Sequence, residues 1–155
     1  MSSIGMIRRS LRLVAAAAML ATVAACDDDD PAAPEEEPQV QTLTLTVGAS
    51  VVTINATTGA ASGPLIVPAG TSTVTAQWKR ADGSDETLIT SDEFELQFVP
   101  TNTAVLSWTA NGAFGGTLTT TGLTSGMTTT AGVQLYHLEA QHPDFGAHTI
   151  TIQIQ

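Results

Sequence analysis

Basic residues are scarce in this chain of 155 residues, which holds five Lys and Arg against fifteen Asp and Glu. Three of the five, Arg8, Arg9 and Arg12, fall in the first dozen positions, and every acidic residue lies at Asp27 or later. A chain starting at Cys26 would retain two basic residues, Lys79 and Arg80, against all fifteen acidic ones, a formal charge of −13. Such a surface repels phosphate, which argues against nucleic acid as a partner. With no basic cluster it has no attraction for anionic lipid headgroups either. Cysteine occurs once, at Cys26, so an intramolecular disulfide is excluded. No apolar run approaches the roughly 20 residues that span a bilayer as a helix. A Gly-x-Ser-x-Gly elbow is also missing, which leaves nucleophilic catalysis without a motif. Few aromatics and high negative charge can signal disorder. Here, however, seven of the charges are confined to 27–37, and the remainder of the chain alternates apolar and polar residues.

What is present begins with a secretory pattern over residues 1–25. Arg8, Arg9 and Arg12 form a positive n-region, Leu13 to Ala21 an apolar core, and small residues lead on to Cys26. The segment Val23-Ala24-Ala25-Cys26 resembles the lipobox of bacterial lipoproteins: an aliphatic residue, two small ones, then cysteine. The resemblance implies that the Cys26 thiol is diacylated, that the signal is cut before it, and that the new N-terminus is often acylated as well. Two or more acyl chains give stable anchoring where one gives only marginal binding. Acylation would also consume a thiol that is otherwise a liability in an oxidising compartment. The competing reading is an ordinary secretory signal with a coincidental cysteine.

Residues 26–39 form a tether. Asp27 to Asp30, Glu35 to Glu37 and the prolines Pro31, Pro34 and Pro38 bury nothing and repel one another, so the segment is expected to be an extended spacer. Asp directly after the cysteine resembles an inner-membrane retention signal of lipoproteins, and an acidic cluster there resembles a surface-export signal. The two point to opposite sides of the outer membrane, and both readings stand open within a cell-envelope location. The run lacks the Asp-x-Asp-x-Asp-Gly spacing that gathers oxygens around calcium.

From residue 40 to 155 the hydrophobic period is two. Leu43, Leu45 and Val47 alternate with threonines; so do Val74, Ala76 and Trp78 with polar residues, then Phe94, Leu96 and Phe98, and finally Ile150, Ile152 and Ile154. Each run predicts a half-buried strand. Turn signals fall between them, notably Ala81-Asp82-Gly83-Ser84 and Asn111-Gly112. No segment beyond residue 26 has a helical period. The expected domain is all-β, an antiparallel two-sheet sandwich of about seven or eight strands. Gln41 to Val47, just after the tether, reads as an edge strand open to a partner's strand. Val74-Thr75-Ala76-Gln77-Trp78, the following Asp82-Gly83, and the late run Val133-Gln134-Leu135-Tyr136-His137-Leu138 resemble bacterial immunoglobulin-like domains. That resemblance implies Trp78 as a core tryptophan and Tyr136 as a corner tyrosine, and carries no activity with it.

Candidate chemistry concentrates near the C-terminus, in His137, His142 and His148 with Glu139 and Asp144 interleaved. By parity His137 shares a face with Val133 and Leu135, and His148 with Ile150, Ile152 and Ile154. If their strands pair through a 139–147 connection, both imidazoles face inward at one end, with His142 in the loop above. Three imidazoles there suit Cu(II) or Zn(II), with Met127 or a carboxylate as a fourth ligand. The competing reading makes the histidines structural caps beside a turn at Pro143-Asp144-Phe145-Gly146. Other constellations are thinner. Asp82, Asp85 and Glu86 are candidate calcium oxygens. Asp92, Glu93 and Glu95 are candidate paired carboxylates of a glycosidase, though Glu93 and Glu95 belong to an outward face. Trp108 is either core or a carbohydrate platform. The residues favour a non-enzymatic reading: a lipid-anchored binding or structural module that engages an envelope protein or glycan. An envelope Cu or Zn protein is the alternative.

Overall fold

The computed structural model describes residues 36–155. The expected signal segment 1–25, the expected lipidation residue Cys26 and most of the expected tether lie outside the described residues. Within them the chain is all-β, with nine strands in chain order. These are β1 (Thr42–Val47), β2 (Ser50–Asn55), β3 (Leu65–Val67), β4 (Thr71–Lys79), β5 (Phe94–Pro100), β6 (Leu106–Ala110), β7 (Gly115–Thr120), β8 (Thr128–His137) and β9 (His142–Ile154). Among the described residues no helix is long and apolar enough to cross a membrane.

The strands form two sheets, one ordered β2-β1-β4-β7-β6 and the other β3-β9-β8-β5. Alternation explains why they pack face to face. Leu43, Leu45, Val74, Trp78 and Leu118 are buried from the first sheet, and Leu96, Leu135, Ile150, Ile152 and Ile154 from the second, in one continuous core. Threonines take the outer positions, as suits a β-branched side chain with a polar tip. Each large aliphatic chain withdrawn in this way contributes roughly 1.5–3 kcal/mol. Trp78 is the largest fully buried side chain. Its indole Nε1 donates to the carbonyl of Ala113 at 2.8 Å, and its ring meets Phe145 of the opposite sheet edge-on at 5.4 Å.

Three features differ from the sequence expectation. The sandwich has nine strands, because β2 and the three-residue β3 lack clean alternation in the sequence; Val51 of β2 is 57% exposed. The sheets are not wholly antiparallel, since β3 runs parallel to β9, with Leu65 opposite Ile152 and Val67 opposite Ile154. Finally, β1 is not an edge. A tight turn at Gly48, which has φ +56°, folds β2 back along it, so β1 is hydrogen-bonded on both sides, to β2 and to β4. Tyr136 lies opposite Glu95 and Pro143, half-buried and outside the inward series Val133–Leu135.

One end of the sandwich gathers the elements that hold the candidate site. There the amide of Gln41 donates to the carbonyl of Lys79 and the amide of Leu138 to that of Glu93. The chain thus enters β1 at the same end at which β4 finishes, β5 begins and β8 turns into β9.

Candidate functional site

The β8–β9 hairpin builds the site. Leu138 to Gln141 form its turn, closed by a 2.9 Å bond from the Gln141 amide to the His137 carbonyl, with Gln141 itself at φ +56°. His137 and His142 are therefore directly opposite each other across the pair. Directly opposed residues share a face, and the two imidazole rings stand 5.7 Å apart, edge to face. Against its other side His137 packs on Phe94, ring centroids 4.6 Å apart.

A third group arrives through an irregularity of the ladder. Leu135 pairs with Phe145 and Tyr136 with Pro143, so Asp144 is the extra residue of a bulge. Bulges re-aim side chains, and this one turns the Asp144 carboxylate inward until only 6% of its side chain is exposed. Its Oδ1 lies 2.8 Å from His142 Nδ1, and its Oδ2 lies 3.6 Å from His137 Nδ1. The Oδ2 atom is buried and has no hydrogen-bond partner. One ligand-capable atom from each of His137, His142 and Asp144 falls within 4.8 Å of the others.

The convergence expected of three histidines is thereby revised. The Val133–His148 pair stands four β8 positions from the His137–His142 pair, about 13 Å of strand, so His148 keeps its face but not its place in the group. His142 sits on a strand and not in a loop, and Pro143 to Gly146 are strand residues rather than a turn. His148 stands apart from the group. Its ring meets Phe145 edge-on at 4.6 Å and lies so close to Gly59 that a Cβ there would be 2.8 Å from its Nδ1. Met127 precedes the far end of β8, ten residues from His137, or about 33 Å of strand. Its sulfur accepts from the Thr124 amide, and it is not a candidate ligand. Glu139 is exposed in the turn and outside the group.

The other carboxylates have their own partners. Glu86 is buried and accepts from Arg80 Nε and Nη2 and from the amides of Leu88 and Gln39. Those bonds, Arg80 foremost, hold its carboxyl down at about 2. Asp85 pairs with Lys79 at 2.8 Å, and the Asp82 carboxylate closes its own turn by accepting from the Ser84 hydroxyl and amide. Both are lowered by those contacts. These three do not form a free oxygen cage for calcium. Glu93 and Asp92 are exposed just before β5, and Glu95 accepts from Gln97. Trp108 donates its Nε1 to the Leu96 carbonyl at 2.9 Å and lies 4.6 Å from Phe98, which commits the ring to joining the two sheets.

Two functional features escape sequence reasoning. The Glu86–Arg80 pair looks in the sequence like ordinary hairpin polarity, with no sign that Glu86 is buried. Asp144 is visible as a residue near the histidines, but its direction depends on a bulge that alternation does not announce. Compared with models of known families, with curated proteins and with solved structures, the chain matches none.

Proposed function

We propose that this chain is a lipid-anchored lipoprotein of the bacterial cell envelope whose sandwich is an immunoglobulin-like binding or structural module. The observation that carries the anchor is the ordered run from Arg8 through the apolar core to Val23-Ala24-Ala25-Cys26. The compact domain begins where the tether ends. The amide of Gln39 donates to the buried carboxylate of Glu86 at 2.9 Å, which fastens the chain at the domain's entrance. The thirteen residue-to-residue steps from Cys26 to Gln39 reach at most about 45 Å when fully extended, a short leash for a spacer.

Strand order supports the immunoglobulin-like reading. Taking β1, β4, β5, β6, β7, β8 and β9 as strands A to G places A-B-E-D on one sheet and C-F-G on the other. That is the arrangement of a constant-type immunoglobulin domain. The hairpin strand β2 extends one edge, and β3 joins the other sheet beside G. Marker residues support it less well. Trp78 comes from the second of these strands, where the family's tryptophan comes from the third, and Tyr136 lies near the end of β8 rather than its start. The partner this module engages is an envelope protein or a glycan, met through surfaces that are polar and threonine-rich.

The anchor is tested by expressing the full chain in a bacterium fed an alkyne analogue of palmitate. Labelled protein in the membrane fraction, with label lost in Cys26→Ser, is the expected result. An unlabelled wild-type chain, or label that persists in Cys26→Ser, would overturn the reading.

A further inference from the structure

We propose that His137, His142 and Asp144 form a binding site for a late first-row divalent cation, Zn(II) or Cu(II). The proposal stands independently of the lipid anchor. Three observations carry it. First, the donors are set by paired backbone: His137 and His142 are cross-strand partners at the closed end of a hairpin, and Asp144 is the bulge residue beside them. Second, the Asp144 carboxylate is 6% exposed, and its Oδ2 is shut off from solvent with no hydrogen-bond partner. Leaving such an acceptor unmet is costly, and native proteins rarely do so without a bound ion, a water or a functional reason. A cation held between the imidazoles would satisfy it. Third, the spacing suits a metal. Two ligands of a tetrahedral zinc ion, each at about 2.05 Å, lie roughly 3.3 Å from one another. His137 Nδ1 and Asp144 Oδ2 are 3.6 Å apart, and the widest separation in the group stays within 4.8 Å.

The donor set selects the ion class. Two imidazoles and one carboxylate suit zinc and copper, whereas calcium takes six to eight oxygens and magnesium keeps an octahedral oxygen shell. His137 is 17% exposed and His142 50%, so the pair spans from the core margin to the surface, giving a cation an entry from solvent. Phe94 against His137 fixes that imidazole before any ion arrives, which limits the ordering that binding requires.

The test is calorimetric titration of the full chain, purified in detergent and stripped with a chelator, using Zn(II), Cu(II), Ca(II) and Mg(II) at neutral pH. Saturable binding of Zn(II) or Cu(II) at one ion per chain, with no comparable response to Ca(II) or Mg(II), is expected. Ligand loss should weaken it at least about tenfold in both His142→Ala and Asp144→Asn, while His148→Ala binds as wild type does. His142 is half exposed, so its replacement leaves the fold intact and decides the matter even if Asp144→Asn fails to fold. The proposal is overturned by a flat titration or by wild-type affinity in His142→Ala, the result expected if the acidic tether were the binder. An equal loss in His148→Ala would overturn the ligand set.

Discussion

Arg80 closes on Glu86 through two parallel contacts, Nε to Oε2 at 2.9 Å and Nη2 to Oε1 at 2.7 Å. The carboxylate in this pair is wholly buried and the guanidinium partly exposed. Removing a buried carboxylate from water is expensive, and here four donors offset the loss. Two are on Arg80; the others are the amides of Leu88 and of Gln39, which precedes β1.

That arrangement predicts a pH dependence with a definite sign. Arg80, then the two amides, holds the Glu86 carboxyl at about 2, below its ordinary 4.5, against the opposing effect of burial. A lowered carboxylate pKa stabilises the fold above the unfolded value. That contribution disappears as pH falls from about 4.5 toward 2. Urea midpoints of the wild type should therefore drop across this window. Glu86→Gln should cost on the order of 2–3 kcal/mol at neutral pH and flatten this part of the profile. Parallel profiles for the two proteins would refute the assignment.

The two tryptophans should differ in what their indole nitrogens contribute. Trp78→Phe removes the donor to Ala113 and leaves a gap in the centre of the core beside Phe145. A loss of about 2–3 kcal/mol is expected from lost packing and an unmet carbonyl together. Trp108→Phe breaks its bond to Leu96 at a half-buried position, and about 1 kcal/mol is expected. Equilibrium unfolding by circular dichroism measures both, and equal losses would contradict this ranking.

Glycines in the strands should separate in the same way. A Cβ on Gly116 would overlap the Thr109 carbonyl and the Trp108 ring, so Gly116→Ala should destabilise by about 1–3 kcal/mol through strain. At Gly132 the nearest atom to such a Cβ is that of Ala147 at 3.6 Å, an ordinary contact. Gly132→Ala should be neutral or stabilising by less than about 1 kcal/mol, because it restricts the unfolded chain. Thermal unfolding of the two variants compares them, and a Gly116→Ala variant as stable as wild type would refute the close approach.

The strands legible in the sequence are those with one face in the core: β1, β4, β5 and the second half of β9. Their alternation survives folding because water on one side and aliphatic chains on the other impose it. β2 and β3 were not legible, since Val51 faces solvent and three residues are too few to show a period. Nor does alternation along β1 say what covers its edge; that depends on the Gly48 turn. At the candidate site the sequence shows His137 and His142 as members of a three-histidine cluster, but it pairs His137 with His148 and puts His142 in a loop. The place of Asp144 is not legible because Pro143, Asp144 and Gly146 have the composition of a turn, while the chain uses them in a strand with two irregularities. His148 pairs four β8 positions away from the group, and the bulge brings Asp144 into it.

The position of β9 has a consequence for when this domain can exist. β9 lies between β3 and β8 and supplies Phe145, Ile150, Ile152 and Ile154 to the core. A nascent chain made only as far as β8 has one sheet without its middle and a partner sheet with nothing to cover it. Pairings so distant in sequence form slowly and only after the last participant is available. Until β9 is made the two sheets cannot close over one core, so stable folding of the domain waits for its thirteen-residue final strand.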